Sequence, residues 1–196
     1  MAADVWESRY EVLLQEAEEK GIRIVSKDNW FWWALHYIVM GVTFGGNKTF
    51  INRYVTTLGK WIAVPFDGPS AWEKRNARSR YLCLRHELIH CRQFKFFGFG
   101  LSYTFGILPA FFVYVLLPVP IGFAYGRWVM ERTAYLEAML ARLEHEHRVD
   151  PSVLDHAVKQ LSGGGYGWTW CISSMVRKWF LKKLPHQETL HGPKPA

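Results

Sequence analysis

The sequence predicts an α+β chain, mainly helical, with a small antiparallel β-hairpin beside one central helix. Three observations carry that prediction. Apolar residues recur at helical spacing over most of the chain. One stretch, Thr49–Pro65, switches to strand-forming residues on either side of Leu58-Gly59-Lys60. At 196 residues the chain can bury a core as one domain without covalent staples. Residues 1–184 read as that domain, carrying an apolar insert at 96–126, and residues 185–196 as a flexible tail.

Taken in order, Asp4 can cap a first helix that runs to Lys20 and stops at Gly21. Trp6, Tyr10, Leu13, Leu14 and Ala17 form its apolar stripe, and Glu11, Gln15, Glu18 and Glu19 its wet face. Ile22–Val25 suits a short strand, and Ser26–Asn29 a turn. Trp30–Phe44 carries no formal charge, and its fifteen residues fall short of the roughly 20 that span a bilayer. A buried helix is expected there, with a membrane-dipping one as the alternative and His36 as a hydrogen-bonded core or interface histidine. The hairpin follows, with Phe50, Ile51 and Tyr54–Thr57 in one strand and Trp61–Val64 in the other. Its outer edge, next to a metal-binding helix, would suit an extended peptide held by backbone hydrogen bonds.

Between Lys74 and Lys95 basic residues cluster at Arg75, Arg78, Arg80, Arg85 and Arg92, a run that usually marks a solvated face. It argues against burial of this helix in lipid. The segment 96–126 is 31 residues without a formal charge, broken by Pro109, Pro118 and Pro120. A single span would separate its ends by about 30 Å, and half of it as helix covers only about 22 Å. Two readings survive, a buried loop-and-helix segment and a hydrophobic hairpin entering one leaflet. The second is preferred because one small domain has limited room to bury so much. Helices are expected again over Gly126–Arg148, from Pro151 to Leu161, and over Ile172–Leu184. The last is basic and amphipathic, suited to capping the core or resting on an anionic surface.

Net charge is +7, with ten Trp and thirteen Phe. The charge favours polyanionic partners, an anionic membrane surface among them. No nucleic-acid motif accompanies it, so no specific nucleic-acid partner is expected. Three cysteines in no framework spacing point to reduced thiols. Cys83 and Cys91 lie about 12 Å apart along one helix, too far to bridge. The N-terminus is acidic and lacks the apolar run of a signal peptide. A cytoplasmic protein is expected, peripheral or monotopic if it meets a membrane.

The chemistry concentrates in His86-Glu87-Leu88-Ile89-His90. Residues four apart share a helix face, so both imidazoles can reach one metal ion while Glu87 meets a water on it. The bland alternative is a surface helix with two unrelated histidines. Two His ligands leave Zn²⁺ in need of a third donor and an open position. Downstream candidates are Glu131, Glu137, Glu144, His145, Glu146, His147 and His156. Glu131 shares its helix face with Ala134, Tyr135 and Ala138, and a carboxylate on so apolar a face needs a partner cation. Glu137 and Glu144 share a flank that reads as solvated, and His145 and His147 fall in a charged end expected to be exposed. Glu131 is therefore the expected third ligand.

With Glu131-Arg132-Thr133-Ala134 following the H-E-x-x-H helix, the chain resembles the gluzincin-type zinc metallopeptidases. Thr56–Gly59, Trp61–Pro65 and His86–His90 with Gln93 are similar to small single-domain peptidases of bacteria and their phages. The resemblance covers roughly residues 45–140. It implies zinc on His86, His90 and Glu131, Glu87 as base and proton shuttle, a peptide or protein substrate, and the outer hairpin strand as its shelf. Larger gluzincins place an acid four residues after the ligand glutamate to orient a histidine. Here Tyr135 stands at that position, so Tyr135 or a backbone carbonyl must take that role. A donor to the oxyanion is also expected, with Tyr135, Tyr125 and Tyr54 as unranked candidates. The reading from another class is a membrane-peripheral interaction protein whose zinc site is structural or degenerate.

Overall fold

The computed structural model describes residues 2–42, 48–68, 70–111, 125–163 and 172–185. The end of the predicted Trp30–Phe44 helix, residues 112–124 of the apolar insert, Cys171 and the tail 186–196 lie outside them.

Everything is arranged around α4 (Ala77–Phe97). Its start is fixed by the Asn76 side chain, which accepts a bond from the Ser79 amide at 2.8 Å. Its end falls at Gly98, as the sequence predicts. Two helices pack along it, α1 (Ala2–Glu19) on one flank and α6 (Tyr125–Glu146) on the other. Helix α1 begins before the predicted cap at Asp4 and closes at Gly21, whose φ of +75° is open to glycine at little cost.

Beside α4 lies a three-stranded sheet in the order β1-β3-β2, made of Arg23–Ser26, Trp61–Val64 and Thr56–Leu58. The predicted antiparallel hairpin is its β2–β3 half, and β1 joins β3 in parallel. Register decides which side chains reach α4. Ile24, Ile62 and Thr57 stand opposite one another across the strands, and opposed residues share a face. Ile24 and Ile62 pack into the core built with α1 and α4. The alternate row, Val25, Ala63 and Leu58, packs instead on α2 (Trp30–Val42) through Trp32 and Leu35.

Phe50–Arg53, read from the sequence as the start of the hairpin strand, is a single helical turn, α3. Phe50 and Ile51 are both buried, and two consecutive side chains enter one core more readily from a turn than from a pleated strand. Lys27 lies in the predicted turn yet is 0 % exposed. Its ammonium donates to the carbonyls of Phe50 at 3.0 Å and Tyr54 at 2.8 Å and to the Thr56 hydroxyl at 2.7 Å. It thereby satisfies carbonyls that so short a helix leaves open. Burial pushes its pKa down to about 7, against a smaller opposing pull from Glu87.

Past Gly98 the described part of the insert turns back on α4 and ends in α5 (Ile107–Phe111). The return is tight: a Cβ on Gly106 would lie 1.7 Å from the Phe94 carbonyl oxygen. A second core joins α6 to α7 (Pro151–Ser162) and α8 (Ser173–Lys183), with Met139, Leu161, Val176 and Phe180 at its centre. Arg132 of α6 lies between Trp128 and Trp179, 3.9 and 4.6 Å from the ring centres. Among the described residues no helix is long and apolar enough to cross a membrane.

Candidate metal centre

Helix α4 turns His86 and His90 towards α6, and α6 presents Glu131 to them. Glu131 Oε2 lies 3.7 Å from Nε2 of His86 and 3.7 Å from Nε2 of His90. The three donor atoms all fall within 4.8 Å of one another. A tetrahedral ion with bonds near 2.0–2.1 Å holds its ligand atoms about 3.3 Å apart, so this set needs only small adjustments to close on zinc. Two imidazoles and one carboxylate are also a donor set that zinc accepts.

Charge behaves accordingly. Burial alone would lower the His90 pKa, but the Glu131 carboxylate outweighs it and raises it to about 9. Burial would raise the Glu131 carboxyl, yet His90 and His86 hold it well below the usual carboxylate range. Glu131 is 4 % exposed, and a carboxylate so placed requires positive charge beside it.

The surroundings orient the donors. Gln93 Nε2 donates to the Met130 carbonyl at 3.0 Å and to the Thr133 hydroxyl at 2.8 Å. That orientation leaves Gln93 Oε1 facing His90 Nδ1 at 2.9 Å, where it accepts the ring proton. The His90 tautomer is thereby set, with Nε2 free for an ion. The sequence marked Gln93 only as part of the family resemblance. Its position three residues after His90, on the same helix face, was the signal for this role.

Glu87 is buried. The Thr57 hydroxyl of β2 donates to Glu87 Oε2 at 2.7 Å, which the sheet register makes geometrically natural. Tyr135 comes to the site through its ring, edge-on to His86 with centroids 5.0 Å apart. Of the other two candidate tyrosines, Tyr125 packs on Trp128, and Tyr54 is half-exposed with Arg53 over its ring at 5.8 Å.

The remaining downstream candidates are also accounted for. Glu137 and Glu144 both pair with Arg85, at 2.6 and 3.3 Å. Glu146 pairs with Arg78. His145, expected to be exposed, is largely buried against Trp6 and meets the Tyr81 hydroxyl at 2.8 Å. His147 and His156 are exposed. The basic run is likewise no simple solvated face, since Arg78, Arg80 and Arg85 clamp α4 to Glu146, Glu7 and Glu137 of its neighbours. Cys83 and Cys91 are free thiols, each pushed up to about 12 first by burial and then by Glu87. His36 is buried and stacked on Phe50, but its Nδ1 has no hydrogen-bond partner among the described residues.

No protein-family model matches this chain, and comparison with curated proteins and with solved structures found no match to either.

Proposed function

We propose that the chain is a zinc-dependent metallopeptidase, with His86, His90 and Glu131 as ligands and Glu87 as general base. The observation that carries this reading is the convergence of the three donor atoms within 4.8 Å, with Glu87 one residue round on the same helix. Three donors of N, N and O type are the pattern of catalytic zinc, whereas structural zinc usually takes four ligands and often thiolates. Bound there, zinc would supply Lewis acidity to a scissile carbonyl and to an attacking water. Glu87, held by Thr57, would accept the water's proton and deliver it to the departing amine.

A peptide substrate suits the neighbouring strand. Strand β2 is at the edge of the sheet, and Thr57 within it touches Glu87. An extended peptide adding to that edge would bring its backbone alongside the base. In this reading Tyr135 packs against the His86 ring and holds it in place.

The test pairs two variants. Glu87→Gln should keep zinc and the fold while peptide hydrolysis falls at least about 100-fold. Glu131→Ala should lose stoichiometric zinc together with activity. Metal content by plasma emission spectrometry and cleavage of an unstructured protein read both outcomes. Full hydrolysis by the Glu87→Gln protein would overturn the assignment of the base.

A further inference from the structure

Acidic residues are absent from two long stretches of this chain, 29–66 and 88–130. The same stretches carry Lys48, Arg53, Lys60, Arg92, Lys95 and Arg127, six of the seven net positive charges. They also supply thirteen of the seventeen large hydrophobic side chains exposed among the described residues. The extremes are Trp30 at 79 %, Phe96 at 77 %, Phe99 at 89 %, Leu101 at 84 % and Phe105 at 74 %.

The fold brings the described parts of the two stretches to one place. Helix α2 packs through Leu35 on the core that includes Leu58. The next residue, Gly59, sits under the insert, where an added Cβ would lie 3.0 Å from Ile107 Cδ1 and 3.2 Å from the Tyr103 carbonyl oxygen. Both apolar segments therefore flank the tip of the β2–β3 hairpin. Cations stand among them, with Lys60 Nζ over the Trp61 ring at 5.4 Å and Lys95 Nζ over the Tyr103 ring at 5.6 Å.

We infer that this surface docks the protein on an anionic lipid bilayer, inserting aromatic side chains into one leaflet around the hairpin tip. Charge selects the occupant. Two copies of this face would set Lys60 and Lys95 against like charges, which opposes self-association. Nucleic acid would satisfy the cations but not exposed Leu101 and Leu108. An anionic leaflet satisfies both classes: headgroups take the Lys and Arg, and the interface accommodates aromatic and aliphatic side chains. Helix α4 carries His90 about 9 Å along its axis from Phe96, so docking would hold the His86–His90–Glu131 cluster close above the lipid. Docking does not require the cluster to be catalytic.

Sedimentation of the full chain with vesicles tests this, using phosphatidylcholine alone and with about 30 % phosphatidylglycerol, near the charge of an anionic leaflet. Binding is expected to the anionic vesicles at low salt, with little to the neutral ones. Changing Trp30, Phe99 and Phe105 together to serine should weaken it about tenfold or more. Lys60→Glu with Lys95→Glu should do the same, at about fivefold per charge removed. All five side chains lie at the surface or its edge, and an unchanged circular dichroism spectrum and zinc content would show both variants folded. No sedimentation with anionic vesicles, or undiminished binding by the serine variant, would overturn the inference. So would a lipid-free dimer that the serine substitutions disperse, which would make the face an interface between copies.

Discussion

The first turns of α4 and its last ones use the same residue types for opposite purposes. Arg78, Arg80 and Arg85 each meet a carboxylate from α6 or α1, and their charge fixes the position of the helix. Arg92 and Lys95 are exposed, no carboxylate lies within 4 Å of either among the described residues, and Lys95 rests over the Tyr103 ring instead. Between these halves sit His86 and His90. A count of basic residues could not separate the two roles. What separates them is where tertiary structure puts the acids, because an ion pair has value only through the geometry and burial of its partner.

That contrast can be broken or sharpened by substitution. The largest effect is expected from Gly106→Ala, whose new methyl would meet the Phe94 carbonyl oxygen at 1.7 Å. The insert would have to leave α4, at about 3 kcal/mol or more, lowering Tm by roughly 6 °C or more. An unchanged melting curve would mean that residues 98–111 do not hold to α4 in solution.

Next comes Gln93→Leu, at the boundary between the halves. Losing the bond that sets the His90 ring should weaken zinc binding about 10–100-fold, measured by competition with a chelator, with the fold retained. Equal affinity would show that the ring orientation is set by other contacts.

Lys27→Met should cost about 1–2 kcal/mol at neutral pH, since two carbonyls and a hydroxyl lose their donor. The pH dependence has a definite sign. With a folded pKa near 7 against an ordinary 10.5, both states are protonated below pH 7, where the burial penalty is fully present. Above it the unfolded chain binds a proton that the folded chain lacks, so stability rises between pH 7 and about 10. Denaturant titrations of wild type and variant should therefore diverge over that range, and parallel profiles would sink the assignment.

The smallest effect belongs to Arg85→Gln. Its pairs with Glu137 and Glu144 are partly solvated, so a loss below about 1 kcal/mol is expected. Unfolding midpoints read it, and a loss of several kcal/mol would mean that the clamp is effectively buried.

Much of the site was legible because its decisive spacing is local. Four residues on a helix bring His86 and His90 to one side whatever else the chain does. Glu131 could be reached from the expected burial of a carboxylate on an alanine-lined face, and it is indeed buried at 4 %. The misread residues depend on distant parts of the chain. Phe50–Arg53 has strand composition, yet strand preference reflects the packing surface more than the backbone itself. Lys27 does lie in the predicted turn, but its burial comes only from Phe50, Tyr54 and Thr56 closing around it. His145 belonged to a charged helix end, and only packing on Trp6 of α1 buries it.

The sequence by itself determined the helical framework, the hairpin and the shared helix face of His86 and His90, because periodicity, turn chemistry and helical spacing act over a few residues. Tertiary structure decided what those pieces face. Sheet register aimed Thr57 at Glu87, α6 oriented Gln93 towards His90, and the hairpin tip gathered two acid-free apolar segments. Each of these depends on contacts between residues far apart in the chain, whose geometry no local pattern encodes.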